Sequence, residues 1–185
     1  IEQICMMSRA RSAVGNVRLI VIDHVQKIVQ NQDPRADRTS ATTNITSMLK
    51  DLARSLKVPV LALAQLGRKV EDRENPRPQL GDLMYGGETD ADVAAFLFRE
   101  EIYLKRQKPQ KSDKESAENF QKRKDSWNNR YRTSVGRVEF IVDKRRMGAP
   151  DSVIIGFRGE TTSFYEFVTP VSSNIGPEDA DGLPF

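Results

Sequence analysis

The chain has 185 residues, with 29 basic and 26 acidic side chains, enough material for one domain with appendages and too nearly neutral to name a partner by charge alone. One cysteine, Cys5, and one histidine, His24, exclude an internal disulfide, a cysteine-based zinc site and a multi-histidine metal centre. The longest apolar stretch, residues 58–64, falls far short of the roughly 20 residues that span a bilayer, so no membrane partner is expected. Ile1 stands in place of an initiator methionine and no signal-peptide pattern follows it, so the expectation is an internal piece of a longer, cytoplasmic protein.

Residues 1–16 read as the end of a helix with a basic side, Arg9 and Arg11, stopped at Gly15-Asn16. Residues 17–22 form a short β-branched run closed by Asp23, the pattern of a buried parallel strand with a carboxylate at its C-terminal end. The polar segment 29–40, with Pro34, predicts a loop. Ile45, Met48, Leu49, Leu52, Ala53 and Leu56 then recur at helical spacing on one face, and Pro59 ends that helix. Residues 58–64 predict a second buried strand, ending at Gln65, and the strand–helix–strand order predicts a right-handed parallel crossover. Residues 67–82, with Pro76 and Pro78, read as a charged loop, Gly86-Gly87 as a tight turn, and residues 92–98 as a third strand.

Residues 104–132 hold ten basic and four acidic side chains, so the positive charge is concentrated there. Within this segment Ser112–Glu115 fits a capping box, and Ala117, Phe120, Lys124 and Trp127 share one helical face. Trp127 and Tyr131, flanked by Arg130 and Arg132, have two readings: rings that stack on bases, or rings that pack a surface helix onto the domain. Residues 137–143 and 151–157 predict two strands of a hairpin, with 161–167 as a short edge strand. Residues 168–185 contain Pro170, Pro177 and Pro184, several acids and few apolar residues, the composition of a disordered tail.

Three groups of residues carry chemistry. Asp23, at the carboxyl end of a buried strand, stands where open α/β sheets bind ligands, and such an acid holds magnesium in nucleoside triphosphatases. Gln65 ends the neighbouring strand, and a glutamine there can sense a terminal phosphate or position water; the alternative for both residues is an ordinary solvated strand end. Lys144-Arg145-Arg146 with Gly148 puts three cations in a turn at a strand end, either a solvated basic turn or an arginine finger aimed at a neighbouring nucleotide site.

Four blocks of sequence, LIVIDHVQKI (19–28), ITSMLKDLARSLKVPVLALAQLGRKVEDR (45–73), RPQLGDLMYGG with TDADV (77–93) and DKRRMG (143–148), resemble successive motifs of the DnaB-type replicative DNA helicases, in that family's order and close to its spacing. The resemblance implies a partial RecA-like α/β core over 1–167, a mostly parallel sheet flanked by helices with a C-terminal antiparallel hairpin. It implies a hexameric ring on single-stranded DNA, with ATP and magnesium bound between subunits. Asp23 becomes the magnesium acid and Gln65 the γ-phosphate sensor. Lys144 and Arg146 become the pair that reaches the neighbour's ATP. Residues 82–87 become a central DNA-binding loop, with Gly86 and Gly87 offering backbone contacts and Arg68 and Lys69 nearby cations.

The chain departs from the pattern in four places. His24 replaces the usual tyrosine, as in primase-helicases of phages and mitochondria. Met84-Tyr85-Gly86-Gly87 replaces Arg-Glu-Ser-Gly. The segment 104–134 looks inserted. No G-x-x-x-x-G-K-[ST] loop occurs in the 185 residues, and the resemblance places that phosphate cradle upstream. The expected source is a bacterium or its phage, with a polymerase, a primase or a helicase loader as further partners. The acidic tail ending in Leu183-Pro184-Phe185 has two readings: an ordinary solvated C-terminus, or a partner-docking peptide with an aromatic anchor steered by acids. The rival readings are a RecA-like recombinase or regulatory ATPase, and a non-catalytic DNA-binding or scaffold module on the same fold.

Overall fold

The computed structural model describes residues 1–30 and 37–167. Helix α1 (Glu2–Val14) leads into strand β1 (Ile20–Ile22), short helix α2 (Val25–Gln30), long helix α3 (Arg38–Leu56) and strand β2 (Val60–Ala62). Strands β1 and β2 pair in parallel, Ile20 opposite Val60 and Ile22 opposite Ala62, which is the parallel pairing expected. The ladder is shorter than the apolar runs. It opens with the Ile20 amide donating to the Pro59 carbonyl at 3.0 Å, and Pro59 has no N–H with which to extend it. Helix α3 starts at Arg38, before the apolar periodicity begins, because the Asp37 carboxylate accepts from the Ser40 amide at 2.8 Å and caps the free amides of its first turn. Its apolar face, Ile45, Leu49 and Leu52, is buried. Ile45 and Leu49 pack with Ile22, Val25 and Val29 into the first core.

The second half is antiparallel. Strands β3 (Val93–Phe98), β4 (Arg137–Arg145), β5 (Asp151–Arg158) and β6 (Ser163–Tyr165) lie in that order. The expectation of a mostly parallel sheet is therefore corrected among the described residues: two strands are parallel and four antiparallel. A continuous apolar run such as β3 does not specify strand direction, and its partner is β4, Leu97 opposite Phe140. Phe96, Phe98 and Ile141 form the second core, packed by Leu66, Leu80, Leu83 and Tyr103. The charged segment before β3 is fixed to this sheet through Arg77, which donates two hydrogen bonds to the Glu139 carboxylate at 2.8 and 3.0 Å. That guanidinium holds Glu139 below the usual carboxylate range.

Between β3 and β4 come α4 (Glu100–Arg106) and α5 (Ala117–Ser134). The cap of α5 is Ser116, whose hydroxyl accepts from the Asn119 amide at 3.2 Å. The capping box expected at Ser112 does not form, and Glu115 instead pairs with Arg123 at 2.7 Å. The Trp127 indole donates to the Leu104 carbonyl at 3.0 Å and stacks on Tyr131 with ring centroids 5.2 Å apart, so the pair packs α5 onto α4. Glu101 is buried at the base of this helical pair and accepts from the Gly136 amide at 3.1 Å. Burial pushes its carboxyl up, but Arg99 and that amide outweigh burial and hold it low. No described helix is long and apolar enough to cross a membrane.

Candidate nucleotide and DNA site

Asp23 directly follows β1, and Gln65 lies just past β2. The pairing of these strands continues beyond the ladder, with the Leu63 amide donating to the Ile22 carbonyl at 2.9 Å and the Val25 amide to the Leu63 carbonyl at 3.0 Å. Both candidate residues thus stand at the carboxyl ends of adjacent parallel strands, the ligand-binding edge of open α/β sheets. The Asp23 side chain is 73% exposed, with His24 Nδ1 3.5 Å from its Oδ1, and the Asp23–His24 peptide bond is cis. Among the described residues Asp23 pairs with His24 and with no lysine or arginine. Such an acid fits a hard divalent cation that keeps its waters and shares phosphate ligands. No cluster of three or more acidic, histidine or cysteine side chains that could cage a metal occurs among the described residues.

The segment after Gln65 is stitched to the candidate DNA loop. The Met84 amide donates to the Gln65 carbonyl at 3.0 Å and the Gly67 amide to the Asp82 carbonyl at 2.7 Å, with Leu66 and Leu83 bridging antiparallel between them. A residue that sequence reasoning missed joins this seam. Gln26, in the first turn of α2 and 2% exposed, accepts from the Gln65 amide at 3.1 Å and donates to the Met84 carbonyl at 3.3 Å. A glutamine flanked by the apolar helix residues Val25, Ile28 and Val29 was the available signal, since an amide on a buried face needs partners.

Tyr85, Gly86 and Gly87 all have positive φ, 66°, 75° and 97°, and carry the chain round a turn that packs on α3. Arg38 donates to the Tyr85 hydroxyl at 2.7 Å. A Cβ at Gly87 would stand 3.0 Å from Thr46 Cγ2 and 3.2 Å from Thr42 Cγ2. Arg68 and Lys69 are exposed on a short 3₁₀ turn, Arg68–Val70, immediately past the seam.

Lys144 and Arg146 lie at the far end of β4 and just beyond it. The Lys144 ammonium donates to the carbonyls of Glu88 and Thr89. The Arg146 amide donates to the Asp92 carbonyl at 2.8 Å and its guanidinium to the Asp92 carboxylate at 3.0 Å. Lys50 pairs with the same carboxylate, and Lys50 first, then Arg146, hold it below the usual range. Neither Lys144 nor Arg146 bonds to Asp23 or Gln65 among the described residues. The chain therefore presents two separate candidate half-sites, one at the β1–β2 edge and one at the end of β4. Leu183, Pro184 and Phe185 lie outside the described residues.

A parallel strand pair connected through helices, beside an antiparallel sheet, is an α/β arrangement. The chain matches the family described as DnaB-like helicase C terminal domain over residues 1–166, and it belongs to that family. Its α/β, RecA-like fold follows from the same relatives. The replicative DNA helicase DnaB of Rickettsia bellii is 32% identical over 171 residues, 91% of this chain and 33% of that protein. The replicative DNA helicase DnaB of Geobacillus stearothermophilus is 33% identical over 162 residues, 86% and 30% respectively. Among solved structures, a DnaB-like replicative helicase, described with its interactions with primase, matches with a TM-score of 0.65 at 32% identity, covering 87% of this chain and 33% of that one. A second solved structure, described as an ATPase domain, matches with a TM-score of 0.67 at 31% identity, covering 89% of this chain and 50% of that one. The chain spans about a third of the length of the curated relatives it matches.

Proposed function

We propose that this chain is the C-terminal ATPase part of a cytoplasmic, hexameric replicative helicase that couples ATP hydrolysis to translocation on single-stranded DNA. The observation that carries the reading is the seam between Gln65 and Met84: the strand end suited to a terminal phosphate and the glycine turn suited to a DNA backbone are one hydrogen-bonded unit. In this reading Asp23 holds magnesium through water, and Gln65 contacts the γ-phosphate. Magnesium, when bound, supplies charge neutralisation on the phosphate oxygens. Lys144 and Arg146 serve the next subunit's nucleotide, leaving their contacts with residues 88–92 to do so. Gly86 and Gly87 allow a phosphate to approach the backbone closely, and Arg68 and Lys69 add positive charge nearby. Primase is the partner named for one DnaB-like relative, and a primase is the first partner we assign here, with a polymerase or a helicase loader as further ones.

The test is subunit mixing in the complete polypeptide that carries these residues. An arginine supplied in trans to a phosphoryl transfer contributes about 10³–10⁵ in rate. Arg146→Ala rings should lose turnover by that order while still binding nucleotide, and Asp23→Ala rings should also be inactive. Mixed rings contain interfaces with an intact Asp23 facing an intact Arg146, so DNA-stimulated turnover should return on mixing. Turnover that stays absent at every mixing ratio defeats the assignment.

A further inference from the structure

We infer that Gln26 is a positioning residue that couples occupancy of the DNA turn to the nucleotide edge. The inference rests on the reading of Gln65 and of residues 82–87 given above, and it names the side chain through which the two communicate. Three elements meet at one amide. Gln26 belongs to α2, which starts two residues after Asp23. Its Oε1 accepts from the Gln65 amide at 3.1 Å, and its Nε2 donates to the Met84 carbonyl at 3.3 Å. The orientation of the amide is fixed by its partners, because a main-chain N–H only donates and a carbonyl only accepts. The Met84 amide closes the triangle on the Gln65 carbonyl at 3.0 Å.

The side chain is 2% exposed. Burying a primary amide is unfavourable unless both of its ends are paired. Here both ends are paired, and by two segments far apart in sequence rather than by α2's own backbone. Movement of Met84 toward or away from DNA therefore cannot leave Gln65 unaffected. Either the Gln26 bonds stretch, or residues 65–67 and α2 move with the turn. The other end of the turn carries the same logic to the second half-site, since Lys144 and Arg146 hold residues 88–92. Binding at the turn thus biases Gln65 within its own subunit through Gln26.

The measurement is the ratio of ATP turnover with single-stranded oligonucleotide to turnover without it, in the complete polypeptide, alongside affinities for a nucleotide and for the oligonucleotide. Gln26→Glu keeps the shape and the acceptor for the Gln65 amide but sets a carboxylate oxygen against the Met84 carbonyl. Gln26→Leu removes both bonds. Coupling free energies between sites correspond to about 5–150-fold, and we expect the stimulation ratio to fall by at least the lower figure in both variants, with both ligands still bound. Gln26→Glu, the more conservative change, decides the matter if Gln26→Leu does not fold. A folded variant with the wild-type ratio overturns the inference. So does an equal fall in both rates that preserves the ratio, because that is the signature of a purely structural residue. Gln65→Ala in the same assay separates the two levels. If Gln65→Ala loses turnover while Gln26→Glu keeps the wild-type ratio, the coupling alone is wrong. If Gln65→Ala turns over like wild type, the reading beneath it is wrong as well.

Discussion

Gly87 meets two constraints at once. Its φ of +97° lies where L side chains are strained, and a Cβ there would press on Thr46 Cγ2 at 3.0 Å. At Gly86, φ is +75° but the nearest atom to an added Cβ is the end of the Glu88 side chain at 3.6 Å. Left-handed backbone costs an L residue about 1–2 kcal/mol, so Gly86→Ala and Gly87→Ala should both destabilise by that order, Gly87→Ala by more. The excess should shrink in a Thr46→Ser background, which deletes Cγ2 and keeps the hydroxyl that donates to Asp90 at 2.8 Å. A denaturant-based double-mutant cycle reads the coupling directly, and a cycle with no coupling between positions 46 and 87 contradicts the contact. The sequence marked Gly86-Gly87 as a turn. It did not mark the threonines of α3 that the turn packs on, because threonines at helical spacing on a polar segment carry no signal of what they touch.

Helix α5 shows the same division between what sequence patterns state and what they leave open. Its existence was legible from the shared face of Ala117, Phe120, Lys124 and Trp127, but its start was not, because Ser112 and Ser116 both precede an acid or amide three residues on and only one can cap. Ser116 wins because Glu115 is taken by Arg123. Only Ser134 of α5 is buried, so the helix is held onto α4 by surface contacts, among them Arg130 on Glu100 and the indole of Trp127 on the Leu104 carbonyl. A hydrogen bond of this kind contributes about 0.5–1.5 kcal/mol net. Trp127→Phe should therefore weaken the docking of α5 by about that much, and Trp127→Ala by more. Hydrogen exchange should quicken in α5 and leave α3 unchanged. Uniform quickening across both helices would show that the indole supports the whole domain instead. Helix α2 was missed for a different reason: six residues carry too little periodicity to stand out, and its helical character comes from packing Val25 and Val29 into the first core.

The β1–β2 pair buries one face and leaves the other apolar and open, and the antiparallel sheet exposes part of one face. On β1–β2, Ile20, Ile22 and Val60 face the first core, while Val21 and Leu61 stand opposite each other on the outer side, 53% and 51% exposed. Leu19 and Leu63, two residues along from these, share that side by strand alternation and are also exposed. On the antiparallel sheet, Leu97, Phe140 and Val153 form a row across β3, β4 and β5 with all three side chains exposed. Parallel strands are ordinarily covered on both faces, and contiguous apolar patches on a soluble surface mark sites of association. The 185-residue chain taken alone should therefore self-associate as its concentration rises, and it should hydrolyse no ATP, having no phosphate-binding loop of its own. Val21→Thr with Leu61→Thr keeps β-branching at one position and introduces it at the other, so the strands should persist while the outer face becomes polar. Sedimentation velocity should then show the doubly substituted chain shifted toward monomer, with an unchanged far-ultraviolet spectrum. If the unsubstituted chain stays monomeric throughout, the outer face of β1–β2 is not an association surface. If both chains associate equally, the row Leu97, Phe140 and Val153 is the surface instead, and Phe140→Thr becomes the deciding substitution.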